Sequence, residues 1–280
     1  MSAPRPRLSV IVPWCDRAEL EQTLAGNAEI FARHGVEVVV VRCAGDESWL
    51  RAALERVPAS VTWVDVPADG FNKALALNLG VHAARGESVF FLDCDVLLRE
   101  DFLPRALETL DQGHFVTVER VYESAALKSA EAQPAEAQPS ALRGLAHAVG
   151  LVGEDGHTVW VETNRVHFAD GSRSGPGLIL LRREHFEAVD GMNSDLVGWG
   201  WEDLDLVARL RLSGVASPRS LGSVVHLTHG DAQRAGSSTA HTERDNFAVC
   251  LANYRLGYHR GTYGDDVSSC TDAIEIHRPT

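Results

Sequence analysis

Short apolar runs alternate with segments of helical periodicity over the first 95 residues. The apolar runs predict strands at 8–13, 36–41, 61–66 and 88–92. Apolar residues recur at helical spacing in 16–34, 48–57 and 72–84. Four strands that alternate with helices are typical of a doubly wound, mostly parallel sheet. We therefore expect an α/β fold in which a Rossmann-like central sheet is flanked by helices.

The pattern changes after residue 121. The segment 123–145 is rich in Ala, Gln, Pro and Ser, and 130–139 repeats the unit AEAQP, which favours a flexible surface insertion. Regular patterns return as strands at 177–181 and 224–227 and as helices at 202–212 and 239–258. We expect a single domain over 1–280, with a first half at 1–121, a flexible insertion or lid at 123–175, a second half at 176–258 and a tail at 259–280.

Composition narrows the classes of function. With a net charge of −13 over 280 residues, the chain lacks the basic surface that nucleic-acid binding needs. The five cysteines are widely spaced without a CxxC pair, which is typical of free thiols in a reducing compartment. The first residues lack the apolar core of a signal peptide, and no apolar run approaches the roughly 20 residues that span a bilayer. We therefore expect a cytoplasmic protein without a membrane span.

Two carboxylates, Asp93 and Asp95, follow the fourth predicted strand. Unpaired carboxylates repel each other and are costly to desolvate, so a cation is expected beside them. A divalent metal that holds a diphosphate would satisfy both carboxylates. Because Asp is common in turns, this pair needs support from elsewhere in the chain.

Glycine and tryptophan alternate at 198–201, and three carboxylates follow at the start of a predicted helix. Acidic residues in a first turn interact favourably with the helix dipole, and Asp205 is spaced to pair with Arg209. Those structural roles do not explain Trp199 and Trp201. Aromatic rings beside carboxylates suit a sugar site. The flat apolar rings stack on the sugar, and the carboxylate oxygens accept hydrogen bonds from its hydroxyl groups.

Two histidines, His226 and His229, lie at the end of a late predicted strand. Together with the upstream aspartates, either one is a candidate third protein ligand for Mn²⁺ or Mg²⁺. Imidazole suits Mn²⁺ better than Mg²⁺.

These motifs resemble those of GT-A glycosyltransferases. The segment 71–80 (FNKALALNLG), the aspartate pair and 198–203 (GWGWED) occur in the order seen in that group. The sequence looks like the inverting β-1,4-galactosyltransferase and chondroitin-synthase-type branch, and like the broader family 2 transferases. It covers about 9–229 without the insertion, and it implies that 1–121 binds the nucleotide-sugar and that 176–258 binds the acceptor.

On the donor side, the resemblance places Pro13 and Arg17 in the loop that cradles uridine. The second strand of the family usually ends in an acid that reads uracil, but here it runs into Arg42. Asp46 is the candidate substitute. The identity of the base is therefore open.

The resemblance in the segment after the third strand implies further residues on the donor side. Asn72, Lys73 and Asn78 would border the nucleotide-sugar pocket, with Trp199 also contacting the donor. Lys73 replaces the more usual Arg, which keeps the charge but loses the bidentate fork.

The resemblance also implies the metal and catalytic roles. Asp95 would ligate the metal, Asp93 would hold the ribose or the waters of the metal, and His229 would be the metal-binding histidine with His226 as a second ligand. The acidic pair Glu202 and Asp203 would be catalytic, with Asp203 as the base; the helix N-terminus should keep it ionised at neutral pH. Trp199, Trp201 and Glu202 would bind the acceptor, although Trp201 replaces a commonly small residue.

The function implied is an inverting hexosyltransferase that depends on Mn²⁺ or Mg²⁺. The donor would be a nucleotide-sugar, in the first instance a UDP-hexose or UDP-N-acetylhexosamine, and the acceptor a glycan, a peptide or a small metabolite. Alternatives are a retaining enzyme of the polypeptide N-acetylgalactosaminyltransferase type and a non-catalytic GT-A protein that binds a nucleotide-sugar or glycan. A nucleotidyltransferase is disfavoured because no Gly-rich basic loop follows the first strand.

Overall fold

A mixed β-sheet with helices on both faces forms the centre of the molecule. The structure, a computed structural model, describes residues 5–66, 68–132, 141–198, 200–229 and 242–279. The strands are β1 (Leu8–Trp14), β2 (Glu37–Cys43), β3 (Val61–Val66), β4 (Ser88–Phe91), β5 (Val96–Leu98), β6 (His114–Glu123), β7 (Gly144–Val152), β8 (Thr158–His167), β9 (Arg173–Arg182), β10 (Ser217–His226) and β11 (Glu275–His277). The helices are α1 (Glu19–Arg33), α2 (Glu47–Arg56), α3 (Lys73–Ala83), α4 (Phe102–Asp111), α5 (Ser124–Ala132), α6 (Arg183–Ala188), α7 (Glu202–Leu212), α8 (Thr242–Arg255) and α9 (Tyr263–Cys270).

The order of strands in the sheet is β11-β3-β2-β1-β4-β9-β6-β10-β5. Strands β3, β2, β1 and β4 are mutually parallel, and β6 and β10 form a second parallel pair. Strand β9 joins the two groups by running antiparallel to both β4 and β6. This arrangement confirms the predicted α/β fold with parallel strands at its centre.

The central strands are buried on both faces. Every residue of β1 is buried, which explains its continuous apolar sequence, since helices cover both sides of a parallel sheet. One core contains α1, α2 and α4, and the other contains α3, α6 and α7. Loops beyond the carboxyl ends of the parallel strands are where such sheets place their ligand sites.

The segment predicted as a flexible insertion contains regular structure. Within 123–175, α5 follows β6, and β7 and β8 pair as an antiparallel hairpin that joins the sheet through β9. Residues 133–140, which carry most of the AEAQP repeat, lie outside the described residues. The insertion is therefore not irregular throughout, as its composition suggested, and its flexibility and a lid function stay predictions.

The C-terminal tail is also structured. After α9, β11 pairs antiparallel with the edge strand β3. The His277 ring stacks on Trp63 with 3.9 Å between ring centroids. Covering an edge strand in this way protects its unpaired backbone groups from other chains.

Within the described ranges, no helix has both the length and the apolar character that crossing a membrane requires.

Candidate active site

Strand pairing brings Asp95 next to the two histidines. In the antiparallel pair of β5 and β10, Val96 lies opposite His226, and Leu227 N–H donates to the carbonyl of Asp95 at 2.7 Å. Residues more than 130 positions apart are thus fixed at one sheet edge by backbone hydrogen bonds.

The side chains of this metal-capable cluster, Asp95, His226 and His229, converge. Asp95 Oδ2 lies 3.1 Å from His229 Nε2 and 3.6 Å from His226 Nε2. One ligand atom from each residue lies within 4.8 Å of the other two. The Arg17 guanidinium donates to the same Asp95 oxygen at 2.9 Å.

Glu123, which the sequence motifs did not single out, orients one of these histidines. Its Oε2 lies 2.7 Å from His226 Nδ1, so Nε2 is the nitrogen that faces Asp95. A carboxylate behind a ligating histidine fixes the tautomer and the ring orientation. The only sequence signal for Glu123 was an acid at the end of a strand.

The donor set of the metal-capable cluster fits a divalent transition metal. It offers two imidazole nitrogens and one carboxylate oxygen, which suit Mn²⁺. Burial alone would raise the pKa of Asp95, but His226, Arg17 and His229 outweigh it and hold that pKa below its usual value. The carboxylate is therefore ionised and ready to accept a cation.

A second cluster, Lys73, Asp93 and Asp203, lies at the same edge. Lys73 Nζ is 3.1 Å from Asp93 Oδ1 and 3.0 Å from Asp203 Oδ2. Asp93 is therefore paired with the lysine, and it is not a member of the metal-capable cluster among the described residues. The two aspartates of the strand end serve different clusters because the chain turns between them.

The environment of Asp203 differs from the expectation at the helix N-terminus. Burial raises its pKa, Lys73 lowers it, and Glu202 and Asp93 raise it further, to about 7. The helix dipole is outweighed because three carboxylates share one lysine. These contacts run against the expectation that Asp203 is ionised at neutral pH, because they raise its pKa toward neutrality.

One oxygen of Asp203 remains for a ligand. Oδ2 is bound to Lys73, whereas Oδ1 is buried and has no hydrogen-bond partner among the described residues. Gly177 on β9 makes room for this carboxylate, because a Cβ there would lie 2.3 Å from Oδ2. Buried carboxylate oxygens without partners are costly unless a ligand satisfies them.

Two residues predicted for the acceptor side, Trp201 and Glu202, lie at the start of α7. Glu202 is buried with Oε1 3.9 Å from Lys73 Nζ. Trp201 precedes the helix with φ +72° and stacks on Phe247 at 4.2 Å between centroids, so one face of its ring is covered. Trp199 lies outside the described residues.

The residues predicted for the donor side are distributed over three loops. Pro13 is buried at the end of β1, and Arg17 follows in the next loop. Asp46 is exposed and caps α2 by accepting from Ser48 N and Trp49 N at 2.8 and 3.2 Å.

The two asparagines on the donor side have structural bonds. Asn72 caps α3, with Oδ1 accepting from Leu75 N at 3.0 Å, and Nδ2 donates to the carbonyl of Ser194 at 2.8 Å. Asn78 is fully buried, accepts from Met192 N and donates to Met192 O and Asp266. These bonds give Asn78 a structural role, and its place at the border of a nucleotide-sugar pocket stays a prediction.

Asp205 has the structural role that its spacing predicted. It forms a buried ion pair with Arg209 at 2.7 Å, and Tyr254 donates to its other oxygen at 2.7 Å. This network fixes α7 against α8, and thereby the helix whose first turn carries Glu202 and Asp203.

Comparison with known proteins gives two family matches. The model for glycosyl transferase family 2 matches residues 9–136, and the model described as the N-terminal domain of galactosyltransferase matches residues 161–230. β-1,4-Galactosyltransferase 7 of Drosophila melanogaster is 42% identical over 43 residues, which are 15% of this chain and 13% of that protein. The matches confirm the resemblance predicted from the motifs.

Solved structures share the fold at low identity. TarS 1–349 of S. aureus in complex with UDP-GlcNAc has a TM-score of 0.53 and 13% identity over 88% of this chain and 66% of that chain. GalNAc-T7 with UDP, GalNAc and Mn²⁺ has a TM-score of 0.55 and 12% identity, covering 90% of this chain and 48% of that chain. The mannosyltransferase PcManGT of Pyrobaculum calidifontis, with GDP-Man and Mn²⁺, has a TM-score of 0.50 and 20% identity over 96% and 76% of the two chains. The chain thus spans less than two thirds of several proteins that it matches.

Proposed function

We propose that this chain, whose fold is that of the GT-A glycosyltransferases, transfers a sugar from a nucleotide-sugar to an acceptor hydroxyl with inversion. The observation that carries the proposal is the position of two clusters at one sheet edge. The metal-capable cluster suits a diphosphate, and the cluster of Lys73, Asp93 and Asp203 offers a base with one unpartnered oxygen.

The metal-capable cluster is assigned to the diphosphate of the donor. Asp95, His226 and His229 would hold Mn²⁺, or Mg²⁺, and the bound ion supplies positive charge where the leaving diphosphate becomes more negative. Arg17 donates to Asp95 at 2.9 Å and so adds a permanent positive charge beside the metal-capable cluster. Glu123 keeps the His226 ring in the orientation that ligation needs.

Asp203 is assigned the role of general base. Lys73 holds Oδ2, so the unpartnered Oδ1 is the oxygen that accepts the proton of the acceptor hydroxyl. A base is most effective when its pKa is near the working pH, and the pKa of Asp203 is about 7. As the proton moves to Asp203, the acceptor oxygen bonds to the anomeric carbon and the bond to the diphosphate breaks. Glu202, beside it, would bind the acceptor.

The donor is assigned as a nucleotide-sugar, in the first instance a UDP-hexose or UDP-N-acetylhexosamine. TarS, GalNAc-T7 and PcManGT were solved with UDP-GlcNAc, with UDP and with GDP-Man respectively, so both bases occur on this fold. Where the family has an acid that reads uracil, Arg42 pairs with Asp65. The acceptor would be a glycan, a peptide or a small metabolite.

Thermal shift tests the proposal directly. UDP-glucose, UDP-galactose, UDP-N-acetylglucosamine, UDP-N-acetylgalactosamine and GDP-mannose should be compared with Mn²⁺ and with EDTA. At least one donor should raise the melting temperature only with Mn²⁺, because binding to the native state stabilises it. Asp95→Asn should abolish that rise, whereas Asp101→Asn, an exposed site at the start of α4, should retain it. The absence of a metal-dependent shift with every donor would contradict the assignment.

A further inference from the structure

The loop 197–201 precedes the acidic pair, and its described residues, 197, 198, 200 and 201, contact the first two turns of α8. Gly198 and Gly200 have φ of +86° and +98°. A Cβ on Gly198 would lie 2.7 Å from Thr242 Cγ2, and one on Gly200 would lie 3.0 Å from Glu243 Cβ. The glycines are therefore needed both for the backbone conformation and for the close approach of the helix.

Asn246 binds the backbone of this loop from the same face of α8. Its side chain is buried, with 6% exposed. Nδ2 donates to the carbonyl of Val197 at 3.2 Å and to that of Gly200 at 2.9 Å. An NH₂ group has two hydrogens, so this one side chain satisfies the carbonyls of both Val197 and Gly200. The next residue, Phe247, stacks on Trp201.

These contacts hold a strained position. Trp201 adopts a left-handed conformation, with φ +72°, which is unfavourable for a bulky residue and persists only when surrounding contacts enforce it. The same residue starts α7, since its carbonyl accepts from Asp205 N at 2.7 Å. Glu202 and Asp203 are the next two residues, so the direction in which they leave the loop depends on Trp201.

We propose that Asn246 is a positioning residue that, through the loop 197–201, sets the orientation of the acidic pair Glu202 and Asp203. The inference rests on the proposed function, because it assumes that Asp203 is the base which Asn246 helps to position. The metal-capable cluster depends on other elements: Asp95 follows β4, and His226 ends β10. Loss of the Asn246 bonds should therefore impair the chemical step and leave the binding of the metal and of UDP intact.

Three substitutions separate hydrogen bonding from packing. Asn246→Ala removes both bonds. Asn246→Asp has the same shape but turns a carboxylate oxygen toward two carbonyls, and Asn246→Ser keeps one donor. Arg244→Ala, on the exposed side of the same turn, is the matched control.

Two measurements on the full chain test the proposal without knowledge of the acceptor. The first is the Kd of UDP in the presence of Mn²⁺, by calorimetry. The second is the kcat for Mn²⁺-dependent hydrolysis of the UDP-sugar, among the four tested above, that the wild type hydrolyses fastest. Asn246→Ala and Asn246→Asp should lower kcat at least tenfold with Kd within twofold of wild type, Asn246→Ser should lie between, and Arg244→Ala should match wild type.

The outcomes distinguish this inference from the proposed function. If the wild type neither binds UDP with Mn²⁺ nor hydrolyses a UDP-sugar, the proposed function fails for UDP donors. If the wild type does both and the Asn246 variants retain its kcat, the positioning role is wrong. If kcat and UDP affinity fall together with the melting temperature, Asn246 has a general structural role and the proposal is overturned.

Discussion

At the residue scale, Asp203 is governed by the balance between one lysine and several acids. Burial and the nearby carboxylates of Glu202 and Asp93 favour its protonated form, whereas Lys73 at 3.0 Å favours the carboxylate. The resulting pKa of about 7 makes the charge of Asp203 sensitive to pH near neutrality. If Asp203 is the general base, its pKa sets the direction in which kcat changes with pH.

We expect the kcat for donor hydrolysis to rise with pH and to level off above about pH 7. Below its pKa of about 7, Asp203 is mostly protonated and cannot accept a proton, so kcat should fall tenfold per pH unit as the pH decreases. Asp203→Asn should lower kcat by about 10²–10⁴-fold and remove this pH dependence. Steady-state kinetics from pH 5 to 9 at saturating donor and Mn²⁺ would check both. A rate that does not change between pH 5 and 8 in the wild type would rule out Asp203 as the base.

Lys73 provides the control for that assignment. Because its charge lowers the pKa of Asp203, Lys73→Met should move the rise in kcat to higher pH. Lys73→Arg, which keeps the charge, should leave the position of the rise nearly unchanged. A shift of equal size in both variants would show that geometry, rather than charge, sets the profile.

Glu123→Gln should weaken Mn²⁺ binding by about 10–100-fold, the usual effect of losing a carboxylate behind a ligating histidine. The physical reason is its bond to His226 Nδ1 at 2.7 Å, which holds the ring for ligation. The Mn²⁺ concentration that gives half-maximal donor hydrolysis would measure the effect, and kcat at saturating Mn²⁺ should recover. Glu119→Gln, on the same strand, is the matched control. Equal Mn²⁺ requirements in the two variants would contradict the role of Glu123.

At the element scale, Asn78 joins three parts of the chain. From α3 it bonds to the backbone of Met192 through both its oxygen and its nitrogen, and to Asp266 on α9 at 2.6 Å. Sequence alone does not distinguish such a residue from a ligand contact, because a polar residue on a helix beside a site has the same pattern in either role.

Asn78→Ala should therefore reduce stability without affecting donor binding. Leaving buried polar groups without partners should lower the free energy of unfolding by about 2–3 kcal/mol. Urea denaturation would measure the loss, and calorimetry with UDP and Mn²⁺ should give an unchanged Kd. A variant with normal stability and weakened UDP binding would instead show that Asn78 contributes to the donor pocket.

The hairpin of β7 and β8 was not predictable from hydrophobic pattern. Most residues of β7 are exposed on both faces, so the strand lacks the alternation that marks a half-buried strand. It also lies beside the low-complexity repeat, whose composition favoured an irregular segment. By contrast, β1 and β2 were predictable because their residues are almost all buried.

At the scale of the whole molecule, the fold followed from the sequence, whereas the division of the candidate site into two clusters did not. Strand ends converge at one edge in a parallel sheet, which is why Asp95 and His229 are expected there, whereas Asp203 is added through the motif resemblance alone. The assignment of Asp93 to Lys73 and of Asp95 to the histidines depends on a turn that separates the two carboxylates. The raised pKa of Asp203 also depends on tertiary contacts, because they bring the Asp93 carboxylate close to it.

The proposed assignment of Asp203 as a base also predicts the stereochemical outcome of the reaction. In that assignment the metal-capable cluster holds the diphosphate, and the unpartnered oxygen of Asp203 accepts the proton of the attacking hydroxyl or water. A base that activates the attacking oxygen implies a single in-line displacement, so a UDP-α-sugar should give a β-configured product. Proton NMR of the anomeric signal during hydrolysis should show the β-sugar first, before mutarotation. Appearance of the α-sugar first would indicate retention and would remove the reason for assigning Asp203 as the base, because a retaining transfer does not need a base opposite the leaving group.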